Sequence, residues 1–158
     1  MSRRVSLVWK QLRALLASAT TWAPLSSALA EDPTVLYSAE HMWTRYDGEY
    51  ILVGISSHLS CMLGKITLIE LGVSEGDNLG ENFEFAVVES DKAATELSLP
   101  VAGRLVDVND AVLEAPHLLR DDPEGSAWIL QMLPTDLEQI EKLFRKDAYV
   151  QYVGGVCE

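Results

Sequence analysis

The sequence predicts a mainly β fold, a compact sandwich or barrel with small helices and a C-terminal helix. Three observations predict it. Short runs of β-branched, aliphatic and aromatic residues recur about every 8–12 residues with turn signals between them. Strands do not alternate with long helices, and no repeat of solenoid period is present. One capped stretch of helical period lies near the C-terminal end. The 158 residues suit one domain, and 48% apolar content is enough for a core.

Residues 43–55 read as a hairpin whose turn is Asp47-Gly48, since glycine adopts positive φ at little cost. Residues 56–64 read as one short helix, with Ser56 as its N-cap and Gly64 as its stop. Residues 65–71 follow as a strand, and the polar, glycine-rich stretch 72–82 as a turn region. Phe83, Phe85 and Val87 alternate with Glu84, Ala86 and Val88, the period of a strand that ends at Glu89. From Ala93 the chain runs extended to Leu99, and Pro100 stops regular pairing. A strand over 103–109, a short helix with a loop over 109–122, and a strand over 128–133 come next. Thr135-Asp136-Leu137-Glu138 has the form of a capping box. It opens a single helix with Leu137, Ile140, Phe144 and Ala148 on one apolar stripe.

The chain carries 12 basic and 24 acidic residues. Arg3, Arg4, Lys10 and Arg13 all precede Glu31, the first acidic residue. Residues 31–158 therefore hold 8 basic against 24 acidic residues, a net of −16. Such a body repels phosphate backbones, so nucleic acid is not an expected partner. Residues 1–30 are basic and rich in Ser, Ala and Leu, the composition of an organellar transit peptide. A secretory signal ending at Ala28-Leu29-Ala30 is the competing reading. No later segment is apolar over the roughly 20 residues of a membrane span. Cys61 and Cys157 have no partner at zinc spacing, no other metal cluster is evident, and both thiols are read as free. The domain is thus expected over 31–153, between a leader at 1–30 and a tail at 154–158.

The chemistry concentrates at Lys92, one of five lysines, which falls in the polar centre of the hairpin between two apolar runs. Its neighbours Glu89, Ser90, Asp91, Ala93 and Ala94 are small or acidic. Nothing there would desolvate the amine, so a Schiff-base or general-base role is not expected. An accessible lysine on a protruding turn suits acylation by another enzyme. No nucleophile–base pair or glycine-rich phosphate loop is present, which argues against a stand-alone enzyme.

Residues 89–112, from Glu89-Ser90-Asp91-Lys92-Ala93-Ala94 onward, resemble the lipoyl-attachment region of the glycine cleavage system H protein family. The family pattern runs Glu-Ser-Val-Lys-Ala, then an apolar-Pro-x-Ser-Gly-Glu-Val segment and Val-Asn. The stretches at 37–49, 53–77 and 122–152 are similar to further motifs of that family, in order, so the resemblance covers about residues 37–153. It implies a flattened barrel-sandwich hybrid, lipoyl-domain-like, with two similar halves packed face to face. It implies lipoate in amide linkage on Lys92. The arm would visit glycine decarboxylase, aminomethyltransferase and dihydrolipoyl dehydrogenase after a lipoyl- or octanoyl-transferring enzyme had attached it. A carrier of this kind does no chemistry itself and supplies reach. By the same resemblance Glu89 helps the modifying enzyme recognise the turn, Gly103 permits close backbone approach, and His58 lies near a docked arm. A monomer in the mitochondrial matrix is expected, with a plastid or a bacterial cytoplasm as alternatives.

Several positions depart from the pattern. The family's His-Glu-Trp is His41-Met42-Trp43, and Met42 cannot accept a charge-assisted hydrogen bond from a loaded amine. The apolar residue before the lysine is Asp91, which adds charge beside the modification site. The usual Gly-Asp is Gly64-Lys65, and Ser-Gly-Glu is Ala102-Gly103-Arg104. Two alternatives therefore stay open beside the glycine-cleavage carrier: a divergent lipoyl or octanoyl relay or storage protein, and an unmodified interaction scaffold.

Overall fold

The structure is a computed structural model that describes residues 35–155. Nine strands form two antiparallel sheets among the described residues. The first holds six strands in the order β1 (Val35–Tyr37), β2 (Met42–Tyr46), β3 (Ile51–Ile55), β9 (Leu130–Pro134), β8 (Gly103–Val108) and β5 (Asn78–Leu79). The second holds β4 (Ile66–Leu71), β6 (Glu84–Ser90) and β7 (Ala94–Ser98). Neither sheet closes on itself. The helices among the described residues are short: α1 (Ser57–Leu63), α2 (Asp110–Glu114), α3 (Leu118–Asp121), α4 (Leu137–Glu141) and α5 (Lys146–Val153).

Inward-facing residues of both sheets meet in one core. Ile51, Val53, Leu105, Leu130 and Met132 from the first sheet join Ile66, Ile69, Phe85, Val88 and Leu97 from the second. A smaller cluster of Tyr37, Trp43 and Tyr149 lies under α5. There the Trp43 indole crosses Gly54, its cross-strand partner. A Cβ on Gly54 would stand 2.6 Å from the indole nitrogen, so only glycine leaves room for the ring. The indole N–H donates to the Pro123 carbonyl at 2.8 Å, which ties this cluster to the loop before β9.

The β2–β3 hairpin forms as expected. Gly48 takes φ +99°, and the Asp47 carboxylate accepts from the Glu49 and Tyr50 N–H groups. Helix α1 also begins and ends where expected. Ser56 Oγ accepts from the Leu59 N–H at 3.1 Å, and Gly64 takes φ +75°.

Several expectations are corrected. Strand β6 continues through Ser90, because Glu89 and Ser90 pair with Leu68 and Ile66 before the turn. Strand β9 starts at Leu130, two residues later than Trp128. The C-terminal helix is two helices. Phe144 exchanges two backbone hydrogen bonds with Tyr37, each 2.8 Å, which holds the chain extended between α4 and α5. Asp136, not Thr135, is the N-cap of α4, since its carboxylate accepts from the Glu138 N–H at 3.0 Å. The Thr135 N–H is already engaged with the Ala102 carbonyl. Of the expected stripe Ile140 is buried, whereas Leu137 is 52% exposed and Ala148 faces out. Finally, Cys61 is disulfide-bonded and not a free thiol. Linear spacing carries no information on such a contact. The expected leader and the last three residues of the tail lie outside the described residues.

Candidate functional site

Lys92 stands exposed at the tip of the β6–β7 hairpin, in the turn Ser90-Asp91-Lys92-Ala93. The turn is built by short polar side chains. The Ser90 N–H donates to the Ala93 carbonyl at 2.9 Å. Ser90 Oγ accepts from the backbone N–H groups of Lys92 and Ala93, both at 3.2 Å. The backbone donors of Ser90, Lys92 and Ala93 are thereby engaged within the turn itself, which holds its shape.

The tip also rests on the end of α1. The Asp91 N–H donates to the Lys65 carbonyl at 3.0 Å. The Lys65 N–H donates back to Asp91 Oδ1, also at 3.0 Å. Gly64 lies between them. A Cβ there would come within 3.0 Å of Asp91 Oδ1, 3.2 Å of Lys92 Cε and 3.5 Å of Lys92 Nζ. The lysine side chain therefore lies over a residue whose φ of +75° favours glycine and whose lack of a Cβ spares the Asp91 and Lys92 side chains a tight contact. Beyond it opens a cavity of about 260 Å³ lined by Gly64, Lys65, Ile66, His117, Arg120 and Asp121. His117, read as a plain loop residue, is exposed there and 3.8 Å from Asp121.

The other expected site residues are distributed differently. Glu89 is exposed on β6, in register with Leu68 and Ala94, and its backbone carbonyl accepts from Thr67 Oγ1 at 3.2 Å. Gly103 belongs to the other sheet, where it pairs with Leu79 and Pro134. A Cβ on Gly103 would stand 2.6 Å from the Leu133 carbonyl oxygen. That approach lets β8 meet β9 and does not touch Lys92. His58 sits in the first turn of α1, and the helix separates it from the lysine end by about 9 Å, six residues at roughly 1.5 Å each.

His58 belongs to a cluster that sequence reasoning did not assemble. Its ring lies 5.0 Å from that of His41, which takes φ +67° between β1 and β2. His41 Nδ1 is 2.8 Å from the Tyr149 hydroxyl, and that hydroxyl is 2.9 Å from Ser56 Oγ. Burial, followed by the nearby His58, holds the His41 pKa below its ordinary value. Burial pushes the Tyr149 hydroxyl up. Glu124 completes this end of α1, accepting from the Tyr37 hydroxyl and the Ser57 N–H, each at 2.8 Å. The only sequence signal for the cluster is the presence of two histidines, and pattern alone does not pair them. Met42 is wholly buried in the main core and offers no surface to an arm.

The family model described as glycine cleavage H-protein matches residues 35–155. This chain belongs to that family. It is 39% identical over 114 residues to the glycine cleavage system H protein of Carboxydothermus hydrogenoformans, covering 72% of this chain and 86% of that one. It is 36% identical over 113 residues to the H protein of Myxococcus xanthus, covering 72% and 87%. The crystal structure of a glycine cleavage system H protein from Mycobacterium marinum superposes with a TM-score of 0.70 at 26% identity, covering 77% of this chain and 98% of that one. The expected barrel-sandwich fold is therefore that of an H protein. H proteins are generally non-catalytic carrier subunits with lipoate on a lysine, and membership supports a lipoyl-carrier role in glycine cleavage for this chain. Residues 1–34 lie outside the family match.

Proposed function

We propose that this chain is the lipoyl carrier of a glycine cleavage system, with lipoate in amide linkage on Lys92. One observation carries the assignment to this lysine. Lys92 is exposed at the tip of a turn whose shape is set by Ser90 and Asp91, so it enters another enzyme's site with little ordering cost. The lysine and arm residues fit the group: the amine is accessible, and Gly64 leaves room beside it. When bound, the lipoyl group supplies the disulfide and dithiol chemistry. The chain supplies an attachment point at the tip of the β6–β7 hairpin. Glu89, exposed three residues before the lysine, is the recognition contact for the lipoyl- or octanoyl-transferring enzyme. Glycine decarboxylase, aminomethyltransferase and dihydrolipoyl dehydrogenase are the proposed successive partners of a monomeric carrier. Residues 1–30 direct it to the mitochondrial matrix, with a plastid or the bacterial cytoplasm as the alternative compartments.

The burial of Met42 favours a second reading, a lipoyl relay that never loads an aminomethyl group, because no carboxylate stands at that position to hold an amine. Mass spectrometry of the protein from its native source, with peptide mapping, tests both. A lipoyl or octanoyl amide on Lys92 is the expected result, and the same spectrum gives the mature N-terminus. An unmodified Lys92 in cells that lipoylate other proteins would leave an unmodified scaffold. A lipoylated protein that takes no aminomethyl group from glycine and its decarboxylase would move the assignment to the relay.

A further inference from the structure

We propose that Asp91 is a positioning residue that latches the lysine turn onto the end of α1 and so sets the direction in which Lys92 leaves the protein. The inference rests on the reading of Lys92 as the modified lysine. Read from sequence, Asp91 is an added negative charge beside the modification site. The geometry gives its carboxylate another task. Asp91 and Lys65 exchange two hydrogen bonds, one from each backbone N–H. The first uses only the backbone and would survive any side chain except proline. The second requires an acceptor on the side chain of residue 91, and an apolar residue cannot supply one.

The consequence falls on the next residue. With one bond, the tip can swing about the Asp91–Lys65 contact. With two, the turn is fixed against α1, and Lys92 Cε is held over Gly64. The lysine is then presented together with the C-terminal end of α1 and the cavity beyond it, lined by Lys65, His117 and Arg120. A modifying enzyme meets a composite surface of hairpin and helix end. Gly64 is the complementary half of the device, because a Cβ there would press on Asp91 Oδ1 at 3.0 Å.

The test compares Asp91→Val with Asp91→Asn in the full chain. Asp91 is exposed, so neither change disturbs the core. Asparagine keeps an oxygen at Oδ1 and valine removes it. Amide exchange by NMR should show Lys65 N–H protected in the wild type and in Asp91→Asn and fast in Asp91→Val. Lipoylation in vitro by a lipoate-protein ligase should show KM raised about fivefold in Asp91→Val at unchanged kcat, and within about twofold of wild type in Asp91→Asn. A Lys65 amide that exchanges equally fast in all three proteins overturns the latch. So does Asp91→Val being an equal or better ligase substrate with Lys65 exchange slowed as in the wild type. If no protein is modified on Lys92, the carrier reading fails, and the exchange measurement still decides whether the latch exists.

Discussion

Gly103 and Gly64 look alike in sequence, as glycines flanking apolar strands, and they serve different contacts. Gly64 takes a positive φ and makes room for the lysine turn. Gly103 has ordinary backbone dihedrals and makes room for a carbonyl. Its hydrogen stands where a Cβ would meet the Leu133 oxygen at 2.6 Å, and a backbone atom in a paired strand cannot step aside. Gly103→Ala should therefore separate β8 from β9 and cost about 1–3 kcal/mol, the range of overpacked interiors. Urea unfolding would show a lower midpoint at unchanged slope. Lipoylation of Lys92 should persist in the folded fraction, because Gly103 lies in the other sheet. If modification is lost while stability is kept, Gly103 acts in recognition. The lysine turn was legible in sequence because its geometry is local. Ser90, Asp91, Lys92 and Ala93 are contiguous, and a serine two residues before an N–H is a known turn device. The latch was not legible, because the partner of Asp91 is a backbone group on Lys65, 26 residues earlier in the chain.

At the scale of elements, α1 is held at both ends by groups from other parts of the chain. Its C-terminal end carries the Asp91 contact. At its N-terminal end Ser56 caps the helix and meets the Tyr149 hydroxyl from α5, which in turn meets His41 from the β1–β2 turn. Most of the strands and α1 follow from local pattern and caps, whereas β1 is too short to show in the pattern and β5 lies inside the stretch read as a turn region. The division of the C-terminal helix does not follow from pattern, because Phe144 has helical spacing and is taken out of the helix by its pairing with Tyr37. That pairing brings Tyr149 under α1. The His41 cluster has a pH consequence. His41 faces His58, Tyr149, Tyr152, Ser56 and the carboxylate of Glu40. Its folded pKa is lowered from 6.5, so the unfolded chain binds more protons in the window below that value. Stability contributed by the neutral ring is present above about pH 6.5 and is lost as pH falls through the unfolded pKa toward the folded one. Thermal melts at about pH 7.5 and about pH 5.5 should therefore differ, with the acid melt lower. His41→Asn keeps a residue that tolerates positive φ and removes the titration, so it should narrow that difference. An equal difference in the variant would assign the acid sensitivity elsewhere.

At the scale of the whole molecule, charge decides how a carrier meets several partners in turn. Residues 31–158 carry a net of −16, and Lys92 is a small basic point in that field. The carboxylates of Glu70, Glu89 and Glu96 are exposed on the sheet that bears it; Glu70 and Glu96 flank Val87 in register across β4, β6 and β7, and Glu89 lies two residues further along β6. Such a field steers the molecule toward basic surfaces and speeds encounter without strengthening any single contact. It acts over the Debye length, about 30 Å at 0.01 M ionic strength and about 8 Å at 0.15 M. The rate of lipoylation at low carrier concentration, which reports encounter, should therefore fall steeply as salt is raised across that range, while the rate at saturation changes little. Neutralising Glu70 and Glu96 to glutamine, away from the Glu89 recognition position, should lower the low-salt rate and flatten the salt dependence. A salt-independent encounter rate would mean that the acidic body serves solubility alone, and that the hairpin tip, with its latch on α1, carries the whole of recognition.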